Sequence, residues 1–144
     1  TSLANDHDRL HLVQLAIADN INIKASNVEF SLPVPSYTID TLTYLEEMYP
    51  KKTFCLIMGA DNLESIEKWK NFEKLLSDYD IYVYNRPGFK LGKYADHHRI
   101  KVLDAPLLDI SATFIRTAIK AGKSVQYLLP DPVYKYLENS NLYR

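Results

Sequence analysis

In the stretch NDHDRLHLVQLAIADN, Leu10, Val13 and Ile17 recur three to four positions apart behind cap-type residues. This spacing predicts an amphipathic helix ending near Asn20. Alternation then takes over: Ile21, Ile23 and Ala25, followed by Val28, Phe30 and Leu32, read as two strands broken at Ser26-Asn27. PVPS reads as a loop, with Ser36 placed to cap a helix from Tyr37 to Met48 whose inner face is Ile39, Leu42, Leu45 and Met48. TFCLIM, Thr53 to Met58, is apolar almost without interruption, the pattern of a strand covered on both faces. GADNLESIEKW turns sharply into a helix, NFEKLLS is a short helix, DIYVYNRPG is a strand ending in a turn, and RIKVLDAPLLD is a strand running into a loop. DISATFIRTAIKAG predicts a helix stopped by Gly122, a favoured residue just past a helix end. SVQYLLP reads as one helical turn, and DPVYKYLENSN as a helix capped by Asp131 with Pro132 at its first position.

Strands alternating with helices in this rhythm predict an α/β domain built on a largely parallel sheet. Such sheets bind ligands beyond the carboxyl ends of their strands. Three segments fall there and are expected to crowd onto one edge: Gly59-Ala60-Asp61, Asn85-Arg86-Pro87-Gly88, and Asp109 to Arg116.

Composition narrows the class without naming it. A chain of 144 residues is long enough for one domain with a real core. Its net charge of −1 gives no basic excess for nucleic acid or for an acidic membrane surface. The single cysteine, Cys55, rules out a disulfide framework within the chain and suits a reducing compartment. Neither a signal-peptide pattern nor a bilayer-length apolar run is read, so a cytoplasmic setting is expected.

The chemistry concentrates at the segment edges. The helix after Asp109-Ile110 opens with the hydroxyls of Ser111 and Thr113, carries no acid in its first turn, and places Arg116 one turn in. Helix starts bear partial positive charge and usually seat Asp or Glu; one left open suits an external anion such as phosphate. Gly59 permits close backbone approach, and Asp61 at the mouth of an apolar strand can accept hydrogen bonds from a ribose diol; the plain alternative is that Asp61 caps the helix after it. Trp69, the single tryptophan, can stack on a heteroaromatic ring or simply pin two helices together. Ser36, Tyr37 and Thr38 open a helix whose free amides can hold an anion, and Arg86 can touch a phosphate. His7 and His11 have metal-type spacing but no evident third ligand, so no side-chain metal site is expected.

In series, PSYTIDTL, IMGADN…W, YNRPG, DISATFIR and YLLPDPVYKYL resemble the bacterial nicotinate-nucleotide adenylyltransferases over essentially the whole chain. ISATFIR matches a family signature of the form I-S-[ST]-T-x-[IL]-R, with Ala112 where serine is frequent; alanine loses a hydroxyl but keeps the amide. The resemblance implies a Rossmann-like, doubly wound parallel sheet with flanking helices, the nucleotidylyltransferase fold. It implies adenylyl transfer from ATP to nicotinate mononucleotide, giving deamido-NAD and pyrophosphate, with Mg²⁺ accompanying the ATP. Ser111, Thr113 and Arg116 would then hold the triphosphate, with Thr113 and Arg116 the catalytic pair. Gly59 and Asp61 would serve the adenosine ribose, Trp69 would stack on the pyridine ring, Tyr37 and Thr38 would line the nicotinate pocket, and Arg86 would contact phosphate.

The family also begins with a strand and a glycine-rich stretch ending H-x-G-H, absent from these residues. The expectation is a single domain over 1–144 that is N-terminally incomplete, lacking two strands of the sheet and inactive by itself. Other readings stay open: a nucleotidyltransferase for nicotinamide mononucleotide, phosphopantetheine or a cytidylyl acceptor, or a non-catalytic nucleotide-binding module. A homo-oligomer also stays open.

Overall fold

The computed structural model describes residues 3–144, which fall into two compact units. One unit is Val28–Leu108. The other joins the described part of Thr1–Asn27 to Asp109–Arg144.

The Val28–Leu108 unit holds a three-stranded parallel sheet of β1 (Leu56–Gly59), β2 (Ile81–Tyr84) and β3 (Ile100–Leu103), in the order β1-β2-β3. Its register aligns Gly59 with Tyr84 and Tyr84 with Leu103, so the three carboxyl ends share one edge. The helices α2 (Thr38–Met48), α3 (Ala60–Glu64) and α4 (Phe72–Asp78) lie in this unit. Alternate residues Met58, Ile81, Val83 and Ile100 turn inward onto Ala60, Leu63, Ile66 and Leu76. A second cluster joins Ile39 and Leu42 of α2 to Leu75 and Tyr79. Leu63, Ile66, Leu75, Ile81 and Val83 are fully buried, and each such side chain contributes about 1.5–3 kcal/mol.

In the other unit, α1 (Asp6–Ile17) packs on α6 (Asp131–Glu138), with the His11 ring edge-on to Tyr136 at 4.8 Å. Asn5 caps α1 by accepting from the Asp8 amide. Helix α5 (Ala112–Lys120) ends where Gly122 adopts φ +70°, and the Lys123 amide donates to the Ala118 carbonyl.

Several sequence expectations are corrected. No strand forms over Ile21–Leu32; the segment is irregular, with a 3₁₀ turn at Val28–Ser31 and Ile21 99% exposed. A strand persists only beside a hydrogen-bonding neighbour, and none of the three strands pairs there. The apolar run TFCLIM becomes strand only from Leu56, and it is covered on one face: β1 lies at the sheet edge with Ile57 66% exposed. Met48 is exposed at the end of α2. Tyr37, not Ser36, occupies the cap position of α2, and no side chain caps it. Ser124–Pro130 makes turns rather than helix, with Tyr127 at φ 69°. Pro130 holds the cap position of α6, which moves Asp131 to its first residue and Pro132 to its second.

Candidate active site

Two sites take shape in the Val28–Leu108 unit. The first lies at the carboxyl ends of β1 and β2. Gly59 ends β1 and is the cap residue of α3. A Cβ there would fall 2.4 Å from Oδ1 of Asp61 and 2.7 Å from Cδ of Arg86, so glycine is demanded by close approach. Asp61 lies inside the first turn of α3 and makes no capping hydrogen bond, which removes the plain capping role. Its Oδ1 is buried and accepts no hydrogen bond; Nε of Arg86 approaches only to 3.8 Å. An orphaned carboxylate oxygen costs roughly 1–3 kcal/mol, and a ligand hydroxyl can satisfy it. Arg86 is presented by a turn closed from the Phe89 amide to the Arg86 carbonyl at 3.2 Å, in which Gly88 takes φ +82° behind Pro87.

The second site is a pocket of ≈ 250 Å³ lined by Ser36, Tyr37, Thr38, Lys68, Trp69 and Lys70. It brings together Tyr37, Thr38 and Trp69. Trp69 follows a 3₁₀ turn at Ile66–Lys68 and packs against both core clusters, so it also anchors the fold. Asn71, at φ 50°, turns the chain into α4 behind it. The uncapped start of α2 supplies the other wall. Lys70 donates to Asp40 at 2.8 Å and sits 5.0 Å from the Tyr37 ring centroid, tying the tryptophan turn to α2. Sequence reasoning missed Lys68 and Lys70 as pocket residues. The signal was the pair of lysines flanking Trp69 in EKWKNF.

In the other unit, Ser111 is the cap residue of α5, and its Oγ accepts from the Phe114 amide at 3.1 Å. Among the described α-helices, α5 stands apart in having no acid in its first turn. Arg116 folds back one turn, its Nη2 donating to Oγ1 of Thr113 at 3.2 Å. Both line a groove of ≈ 460 Å³ with Thr117, Lys120, Asn141 and Arg144. The described residues contain no group of three His, Cys, Asp or Glu able to hold a metal ion, and no helix among them is long and apolar enough to cross a membrane.

A cytidylyltransferase-like family model matches residues 1–118. A protein of Flavobacterium johnsoniae described as "probable nicotinate-nucleotide adenylyltransferase" is 47% identical over 100% of this chain and 76% of its own length. The chain belongs to this cytidylyltransferase-like family, among the nicotinate-nucleotide adenylyltransferases. A relative of the same description from Bacteroides fragilis is 45% identical over 90% of this chain and 65% of its own. Two solved structures carry the same fold at 21% identity. The Plasmodium falciparum nicotinic acid mononucleotide adenylyltransferase complexed with APC has a TM-score of 0.80 and covers 99% of this chain and 78% of its own. The same enzyme complexed with NaAD has a TM-score of 0.79 and covers 99% and 76%. The chain is therefore a Rossmann-like nucleotidyltransferase fold, in which the three parallel strands and their flanking helices were legible from sequence.

Proposed function

We propose that the protein transfers the adenylyl group of ATP to nicotinate mononucleotide, forming deamido-NAD and releasing pyrophosphate. The reading is carried by the pocket that sets the Trp69 indole against the uncapped start of α2, a place for a flat, anionic ring. The names of the relatives and the ligands of the Plasmodium falciparum complexes support it.

Each site residue has a part. Trp69 stacks on the pyridine ring, and the amides opening α2 at Thr38 receive its carboxylate, with Tyr37 closing the wall. Asp61 Oδ1 accepts from a ribose hydroxyl of ATP, in space kept open by Gly59. Arg86 lies beside Asp61 to meet a phosphate. The amides at the start of α5, the Ser111 and Thr113 hydroxyls and Arg116 hold the polyphosphate. Ser111 spends an oxygen lone pair on its cap and keeps its O–H to donate.

The chemistry needs little acid–base help. A phosphate oxygen of the mononucleotide is already anionic; it attacks the α-phosphorus, and the bond to the bridging oxygen breaks with pyrophosphate as leaving group. Positioning and neutralisation of that growing charge do most of the work, which assigns Thr113 and Arg116 to the leaving group. Nucleotidyltransferases generally use a divalent cation. We take it to be Mg²⁺ carried by the triphosphate, since such ions bind through substrate phosphates and few protein ligands.

The test supplies the intact protein with Mg²⁺, ATP and either nicotinate or nicotinamide mononucleotide. Pyrophosphate and deamido-NAD should appear in equal amounts with the acid. Equal turnover of the amide would remove the assignment of the acceptor.

A further inference from the structure

The charges around the Trp69 pocket do not cancel. Two carboxylates lie close to it, and both are engaged. Asp40 is taken by Lys70 at 2.8 Å. Glu67, next in sequence to Lys68, accepts from the Tyr94 hydroxyl at 2.7 Å and pairs with Lys93. These contacts, the Lys93 hydrogen bond first, hold the Glu67 carboxyl below its ordinary range. Lys68 lines the pocket, and among the described residues no carboxylate pairs with it. The pocket therefore keeps one uncompensated positive charge beside its aromatic wall.

We propose that Lys68 is a specificity-determining residue, its ammonium favouring an acceptor ring that bears a carboxylate over one that bears a carboxamide. The inference rests on the acceptor pocket proposed above and adds to it the group that reads the charge. A neutral carboxamide gains nothing from an ammonium that a carboxylate does not gain more strongly. Neighbouring Lys70 cannot substitute, because Asp40 already neutralises it. Both mononucleotides carry a 5′-phosphate, so a lysine that merely met the phosphate would strengthen both equally.

Trp69 makes this measurable. As the single tryptophan of the chain, its fluorescence reports binding at this pocket. The intact protein and its Lys68→Gln and Lys68→Arg variants are titrated with nicotinate mononucleotide and with nicotinamide mononucleotide, at low and at high salt. The intact protein should bind the acid more tightly. Lys68→Gln should shrink the ratio of the two dissociation constants by about fivefold, the scale of an exposed ion pair, and Lys68→Arg should restore it. Added salt should shrink the ratio in the intact protein and leave it flat in Lys68→Gln. An unchanged ratio in Lys68→Gln, including an equal loss for both ligands, overturns the inference and leaves the pocket assignment standing. Failure of the intact protein to bind either mononucleotide overturns both.

Discussion

The Oδ1 oxygen of Asp61 lies buried 3.8 Å from Nε of Arg86 and accepts no hydrogen bond. The pair is too far apart to satisfy that oxygen, yet too close to Gly59 to tolerate a methyl group there. Gly59→Ala should therefore push the carboxylate or the guanidinium aside. We expect a stability loss of about 1–3 kcal/mol from overpacking, measured by urea unfolding, with a weaker dissociation constant for ATP. A neutral outcome in both would mean that the close approach has no functional weight.

Asp61→Asn separates function from stability. Removing the charge of a half-buried carboxylate whose Oδ1 lacks a hydrogen bond should leave the melting temperature unchanged or raise it. Exchanging the charged acceptor for a neutral amide oxygen should weaken ATP binding by about tenfold, the scale of a hydrogen bond to a charged group. Calorimetric titration beside a thermal melt reads both, and an unaltered ATP affinity would remove Asp61 from the ribose site.

Ser111 and Arg116 should differ in their effect on stability, read by thermal melts. Ser111→Ala removes the cap bond to Phe114 and should destabilise the fold by about 0.5–2 kcal/mol. Arg116→Ala leaves that cap intact and should barely move stability, while weakening ATP binding by roughly 1.5–3 kcal/mol.

Trp69 does two jobs. It packs on both core clusters, so Trp69→Ala should cost about 3–5 kcal/mol and blur any kinetic reading. Trp69→Phe keeps a ring and much of the packing. It should raise the KM for the mononucleotide and leave that for ATP nearly unchanged; an equal rise for both would make Trp69 an anchor only.

Tyr79 gives a pH signature. Burial, and then the hydrogen bond to Glu46 at 2.9 Å, push its phenol up to about 12. The unfolded phenol ionises near pH 10, so from about 10 to 12 the unfolded chain binds fewer protons than the folded one. Stability should be complete below that window and fall through it. Tyr79→Phe should flatten the fall in a series of melts across the window.

The sheet and α5 were readable because their signals are local: Ile81 and Val83 alternate inward, and Gly122 marks a helix end through its own backbone. The strands foreseen over Ile21–Leu32 failed because alternation says nothing about whether a neighbour exists to pair with. TFCLIM shows the same dependence on neighbours: it is strand only from Leu56, and among the described residues β1 has a strand on one side only, with Ile57 exposed. Asp61 is singled out by its place after β1, but its orphaned oxygen is not legible there, because Arg86 comes from another strand end. Lys68 went unnoticed for the same reason. Its charge stands out only once Asp40 and Glu67 are known to be engaged by other residues.

The most direct test of the account is an amide map by NMR, collected as each ligand is added to the protein. Nicotinate mononucleotide should shift Tyr37, Thr38 and Lys68 to Lys70, and Mg–ATP should shift Gly59 to Asp61 and Ala112 to Arg116. Shifts from either ligand confined to other residues, or no shifts at all, would contradict it.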